Sequence, residues 1–207
     1  MTCVALAARA QDEPKPTAIE TGAKFAAGAL VGLAAHETGH LVLDAAFGSD
    51  PYFKRVEFGG IPFFAIAHEP VSPRREFAIA SAGFWVQHAT DEWLLSARGP
   101  IGRAHRSECG DSKRSDCRAS ALVKGVFAFN VLTSVGYSLA AFAEVGPAER
   151  DTRAMAASAR VSEPFIGATI LAPALLDAYR YYHPQSKTAK WISRAVKIGG
   201  ALLILRD

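Results

Sequence analysis

Two histidines and a glutamate lie close together in an apolar stretch near the start of the chain. His36, Glu37 and His40 form the motif H-E-x-x-H within residues 25–43. On a helix, side chains four positions apart face the same side, so both imidazoles can bind one metal ion. A glutamate beside the first histidine is placed to take a proton from a metal-bound water. The motif predicts a Zn2+ site with His36 and His40 as ligands and Glu37 as the general base.

A catalytic zinc needs a third protein ligand, and Asp177 is the best candidate in the sequence. It is the only carboxylate in the apolar residues 164–179, and an aspartate inside a membrane segment is a functional candidate by default. Pro173, one turn earlier, would loosen the helix and turn the carboxylate inward. Asp177 could instead mark the end of its helix, because aromatic and basic residues follow it at once. His68, which follows the hairpin, and Asp91 and Glu92 in the second apolar segment are the alternative ligands. Asp44, two turns from Glu37 on the same helix, is too far along to complete a tetrahedron.

Five apolar segments must position these residues. About 20 apolar residues span a bilayer as a helix. Two segments meet this criterion, two more are borderline because they carry charged or polar residues, and the last looks interfacial. We therefore expect three or four spanning helices. The segments are residues 25–43, 77–95, 125–143, 164–179 and 191–205.

The connections between these segments differ in character. Residues 51–67 are aromatic and β-branched around Gly59-Gly60, which predicts a short β-hairpin. Residues 146–163 read as a mixed-charge linker. The fold class predicted is all-α: a small polytopic membrane helix bundle of three to five apolar helices, with the hairpin directly after the H-E-x-x-H helix.

Composition narrows the class of protein. Half of the 207 residues are apolar and 21% are charged, which excludes a disordered chain. The net charge of +3, without any long run of Lys or Arg, excludes nucleic acid as a partner. A soluble helical protein with an incidental H-E-x-x-H motif stays an alternative. Against it, histidines and a glutamate within an apolar helix need compensation, and a bound cation is the simplest form of it.

The termini and loops leave three alternatives open. Residues 1–22 are either the remnant of an export signal with a linker or a frayed terminus, and residues 23–207 form the membrane-embedded domain. Cys109 and Cys117 would form a disulfide in an oxidising compartment and stay free thiols in the cytoplasm. The positive-inside rule places their loop in the cytoplasm, whereas an export signal with an even number of crossings places it outside.

Several of these segments resemble the site-2 protease family of intramembrane zinc metalloproteases. The resemblance is carried by HETGH at 36–40, by Ile61-Pro62 in the hairpin, and by AGFWVQ at 82–87. Residues 171–177 are similar, more loosely, to the family motif that supplies the third ligand. The chain departs from the family where Phe84 replaces a proline, where Ala178 replaces a glycine, and where an extra apolar helix precedes the Asp177 segment.

This resemblance implies a zinc-dependent membrane metallopeptidase that cleaves a peptide bond within or next to the bilayer. His36, His40 and Asp177 would then hold zinc, and Glu37 would be the catalytic base. The expected partners are the lipid bilayer and a membrane-protein or peptide substrate, which Asn130 and the hairpin would contact. The expected location is a multi-pass cell membrane protein of the bacterial inner-membrane type. The alternative is an inactive metal-binding membrane scaffold or binding protein.

Overall fold

The computed structural model describes residues 16–58, 61–102 and 119–205, so Cys109, Cys117 and most of the expected export-signal region lie outside the described residues. This part of the chain forms six α-helices and one two-stranded sheet, which confirms the predicted helical bundle with a hairpin. In chain order the elements are α1 (Ala18–Phe47), β1 (Tyr52–Phe58), β2 (Ile61–Ala67), α2 (Pro73–Leu95), α3 (Ala121–Ala143), α4 (Asp151–Ala159), α5 (Glu163–Tyr182) and α6 (Lys187–Leu205).

The long helix α1 carries the H-E-x-x-H motif and packs against α2 and α3. Thr17 caps its N-terminus, because the Thr17 hydroxyl accepts a hydrogen bond from the backbone N–H of Glu20 at 3.1 Å. Its crossing with α3 depends on small residues. A methyl group at Gly28 would overlap the Leu122 carbonyl oxygen, and one at Gly125 would overlap that of Phe25. Glycine at both positions therefore allows the two backbones to touch, as in closely packed membrane helices.

The predicted β-hairpin is present between α1 and α2. Its strands are antiparallel, with Tyr52 opposite Ala67 at the open end and Phe58 opposite Ile61 at the other. The backbone N–H of Glu69 donates to the Ser49 carbonyl at 2.9 Å. This bond fastens the base of the hairpin to the end of α1, so the hairpin lies beside the H-E-x-x-H helix.

Helices α1 and α3 bury mainly small and polar residues and expose large apolar ones. The buried residues of α1 are glycines, histidines and an aspartate: Gly28, Gly32, His36, Gly39, His40 and Asp44. Its exposed side chains include Leu30, Val31, Leu41 and Val42. Helix α3 likewise buries Asn130, Ser134 and Ser138 and exposes Leu132, Leu139 and Phe142. This pattern is the inverse of that in water-soluble helices. It is typical of helices surrounded by lipid, where apolar side chains face the lipid and polar groups must be paired inside.

Two helices of the described residues, α1 and α3, are long and apolar enough to cross a membrane. A third span results if α4 and α5, which meet at 117°, are counted as one bent unit. This is two or three spans where the sequence predicted three or four. Helix α2 is not apolar enough to be counted as a span, because it contains several polar side chains. Three of these, Gln87, His88 and Asp91, are buried.

The interpretation of residues 146–163 as a linker was wrong, because they contain the nine-residue helix α4. The segment looked like a connection because charged residues surround it and the helix is short. In the structure several of those charges point into the protein. Arg150 is buried, and its guanidinium binds Glu163 at the start of α5.

Candidate metal centre

Three side chains bring their ligand atoms together inside the bundle. His36 and His40 from α1 meet Asp151 from the first turn of α4, and their ligand atoms all lie within 4.8 Å of one another. The two histidine Nε2 atoms are 3.2 Å apart. Asp151 Oδ2 is 3.4 Å from His36 Nε2 and 3.6 Å from His40 Nε2. This group could hold a metal ion.

Helix α2 fixes the orientation of both histidines. The Nδ1 atom of His40 lies 2.7 Å from the Ile79 carbonyl oxygen, which only accepts hydrogen bonds. Nδ1 must therefore carry the proton, so the lone pair of Nε2 points to the centre. A methyl group at Gly83 would overlap the His36 ring. Glycine at this position gives the imidazole its space, and Phe84 packs edge-on against the same ring at 5.3 Å.

The two residues next to Asp151 in the chain both bind Glu163, and these contacts position the Asp151 carboxylate. The Arg150 guanidinium donates to both carboxylate oxygens of Glu163, each at 2.6 Å. Thr152 donates its hydroxyl to the same Glu163 at 2.7 Å. Because both chain neighbours of Asp151 bind one glutamate, the first turn of α4 is fixed to α5. From α3, the partly buried Tyr137 lies beside the centre, with its ring centroid 6.2 Å from that of His36.

A cavity of about 660 Å³ opens beside this centre. Glu37, His40 and Asp151 line one part of it, and Val56 and residues 65–67 of the hairpin line another. At the rim, Lys54 Nζ lies 2.7 Å from Glu149 Oε1. This hydrogen bond holds the pKa of Glu149 below its usual value and joins the hairpin to the α3–α4 loop. Glu37 thus faces a space large enough for a ligand, next to the histidines.

The structure does not bring Asp177 to the histidine pair, which corrects its expected role as third ligand. Asp177 lies where α2, α5 and α6 meet, and Lys197 Nζ is 2.7 Å from its Oδ2 atom. Ser193 donates its hydroxyl to Oδ1 at 2.9 Å, and Arg180 lies 3.3 Å from the same oxygen. The aspartate is fully buried, as expected, but two cations from its own chain compensate its charge.

We expect that replacing Asp177 with alanine destabilises the bundle without removing the metal. The substitution leaves the Lys197 ammonium buried without this partner. Removing one member of a buried ion pair costs about 3–5 kcal/mol in free energy of unfolding. Thermal unfolding in detergent should show a clear fall in Tm, whereas the metal content at low temperature should equal that of the wild type. The double substitution Asp177→Asn with Lys197→Met should recover part of the loss. A drop in metal content in the folded variant would contradict this assignment.

The other candidate residues also have structural partners. Asp91 accepts a hydrogen bond from Asn130 Nδ2 at 2.7 Å, so both side chains are engaged within the bundle. Glu92 pairs with Arg180 and, at 2.7 Å, with Arg194. Neither alternative carboxylate belongs to the metal-ligand group found among the described residues. Asn130, expected to contact a substrate strand, instead connects α3 to α2.

The sequence did not reveal Asp151 as a candidate ligand because this residue does not lie in an apolar segment. Its local sequence, Glu149-Arg150-Asp151-Thr152-Arg153, has the composition of an exposed loop. The available signal was the alanine-rich run that follows, which favours a helix and places Asp151 in its first turn. Comparison with protein-family models, with curated proteins and with solved structures finds no match to this chain, so the resemblance to the site-2 proteases is carried by its own motifs alone.

Proposed function

We propose that this chain is a zinc-dependent membrane metallopeptidase in which His36, His40 and Asp151 hold the metal and Glu37 is the general base. The observation that carries the proposal is the set of three distances between the ligand atoms. Zinc binds nitrogen and oxygen at about 2.0–2.2 Å in tetrahedral sites, which separates neighbouring ligand atoms by about 3.4 Å. The measured values of 3.2, 3.4 and 3.6 Å agree with this edge length.

Hydrogen bonding alone is a poorer explanation of the same cluster. The two contacts between histidine nitrogens and Asp151 exceed the 2.7–3.2 Å range of good N–H···O bonds. Two histidines and one aspartate also leave one position of a tetrahedron for water or substrate, which is the arrangement of a catalytic zinc rather than of a closed structural one.

The side chains around the centre are suited to peptide hydrolysis. Zinc, when bound, lowers the pKa of a water molecule and polarises a carbonyl group. Glu37 lines the same cavity as His40, so its carboxylate can accept the proton of the attacking water and return it to the leaving amine. The contacts of Arg150 and Thr152 with Glu163 fix the turn that contains Asp151. His40 is held in the required tautomer by the Ile79 carbonyl.

The lining of the cavity and the apolar character of the long helices favour a peptide substrate at the membrane. Its walls combine apolar side chains from α2 and α3 with the inner residues of β2, among them Ala65, Ile66 and Ala67. An extended peptide can add to a strand edge of the hairpin and present its backbone to the centre. Two or three helices are apolar enough to span a bilayer, which supports our proposal of a multi-pass protein of the cell membrane.

Removal and restoration of zinc tests this function directly. Protein in lipid nanodiscs is stripped with dipicolinate, and part of the sample is reloaded with zinc. Both forms are incubated with detergent-solubilised bacterial membrane proteins, and new peptide termini are counted by mass spectrometry. We expect new termini with the reloaded protein and none above background with the stripped protein. Zinc that binds tightly without any new termini would favour the inactive scaffold, and cleavage independent of metal would contradict the proposal.

A further inference from the structure

The face of α1 that holds the metal-binding histidines continues into a third polar residue. His36, His40 and Asp44 follow one another at intervals of four positions, so they lie along one side of the helix. All three are buried, and Asp44 lines the same cavity as His40 and Glu37. The proposed chemistry assigns Asp44 no role.

Half of the Asp44 carboxylate has no partner. Ser49 donates its hydroxyl to Oδ1 at 2.6 Å. Oδ2 is buried and makes no hydrogen bond to any of the described residues. A buried carboxylate oxygen without a donor is costly, and native structures rarely keep one without a reason. The donor that this oxygen lacks can come from a ligand in the cavity.

Acidic groups predominate in the lining of this cavity. Besides Asp44 and the residues of the centre, it contains the carboxylates of Glu76 and Glu149. Arg150 is the one lysine or arginine among the lining residues that the structure describes, and Glu163 binds its guanidinium at 2.6 Å. Glu149 pairs with Lys54, and Glu76 lies 3.5 Å from His68. Asp44 is thus the buried carboxylate whose free oxygen a positive ligand would satisfy.

From these observations we propose that Asp44 binds a lysine or arginine side chain of the peptide substrate. Asp44 follows His40 by about one helical turn, which corresponds to about 6 Å along the axis. An extended peptide covers that distance in about two residues. The substrate class is therefore an apolar peptide segment with a basic residue about two positions from the cleaved bond. This inference rests on the proposed function, because the position of the bond is defined by the metal centre.

Peptide binding to a protein that cannot cleave tests the role of Asp44. The probes are three fluorescein-labelled peptides of alternating alanine and leucine, identical except for one central residue, which is lysine, acetyl-lysine or methionine. Their affinities for zinc-loaded Glu37→Gln protein are measured by fluorescence anisotropy in nanodiscs. A charge-assisted hydrogen bond predicts that the lysine peptide binds about tenfold more tightly than either neutral peptide.

The matched variants are Asp44→Asn and Asp50→Asn, each in the Glu37→Gln background. The amide introduced by Asp44→Asn keeps an acceptor for the Ser49 hydroxyl and loses the charge, so the preference for lysine should disappear. Asp50 is exposed six residues further along, and its replacement should leave the preference unchanged. Equal affinity for the lysine and acetyl-lysine peptides would overturn the inference without any variant. An unchanged preference in folded Asp44→Asn protein would overturn it as well.

Cleavage by the protein with Glu37 intact separates this inference from the proposed function. If the lysine peptide is cut about two residues from the lysine and with a higher kcat/KM than the methionine peptide, both stand. If both peptides are cut equally, the peptidase assignment stands and the role of Asp44 falls. If neither is cut while the lysine preference in binding depends on Asp44, the cationic site stands and the peptidase assignment falls.

Discussion

Replacing Asp151 with alanine should remove the metal from the purified protein. Asp151 supplies the only oxygen of the three-residue group, and its loss leaves two histidine ligands. Substitutions outside the ligand set commonly cost 10–100-fold in metal affinity, so loss of a ligand should cost at least about 100-fold. The metal content after dialysis, measured by plasma mass spectrometry, and competition with a chromophoric chelator give the two readouts.

Asp177→Ala is the matched control for this experiment. Both substitutions remove an aspartate of the second half of the chain that interacts with basic or imidazole side chains of other elements. Asp151 meets His36 and His40, whereas Asp177 meets Lys197. We expect zinc to be lost from the first variant and kept by the second. The opposite result would restore Asp177 as a ligand and contradict the geometry of the centre.

Replacing Glu37 with glutamine should stop cleavage while zinc stays bound. Glutamine has nearly the same shape, but its amide cannot accept a proton from water at neutral pH. Loss of a general base typically lowers kcat by about 10²–10⁴-fold. The metal content should equal that of the wild type, because Glu37 is not one of the three ligands.

Cleavage and zinc content are measured on the same sample of the Glu37→Gln protein, so that two causes of low activity can be distinguished. Low activity with normal zinc indicates a lost proton acceptor, whereas low activity with low zinc indicates only a damaged centre. Thr38→Ser, on the adjacent exposed position of the same helix, serves as the control and should keep both properties. Undiminished cleavage by Glu37→Gln would rule out the proposed mechanism.

The helices and the histidine pair were predictable because their signals are local. Long apolar runs define α1 and α3, and the spacing of His36 and His40 alone places both rings on one side of a helix. The hairpin was predictable from its β-branched and aromatic residues around two glycines. These features depend on neighbours in the sequence, so a single chain was enough to find them.

The third residue of the candidate metal-ligand group was not predictable, because its identity depends on which elements meet in space. Both aspartates have basic residues near them in the sequence. Asp177 was the preferred candidate because the residues around it are apolar. What decides between them is that α6 brings Lys197 to Asp177, and that α4 brings Asp151 to the histidines of α1. Both are long-range contacts, and neither has a signature in the local pattern.

The three residues of the candidate metal centre are far apart in the sequence, with both histidines in α1 and the aspartate in α4. A ribosome therefore completes the first spanning helix long before it synthesises the residue that finishes the coordination sphere. During that interval the growing chain has the histidine pair without Asp151, so the three-residue group is incomplete. Under the proposed function, the chain would therefore gain hydrolytic capacity only after α4 has been synthesised.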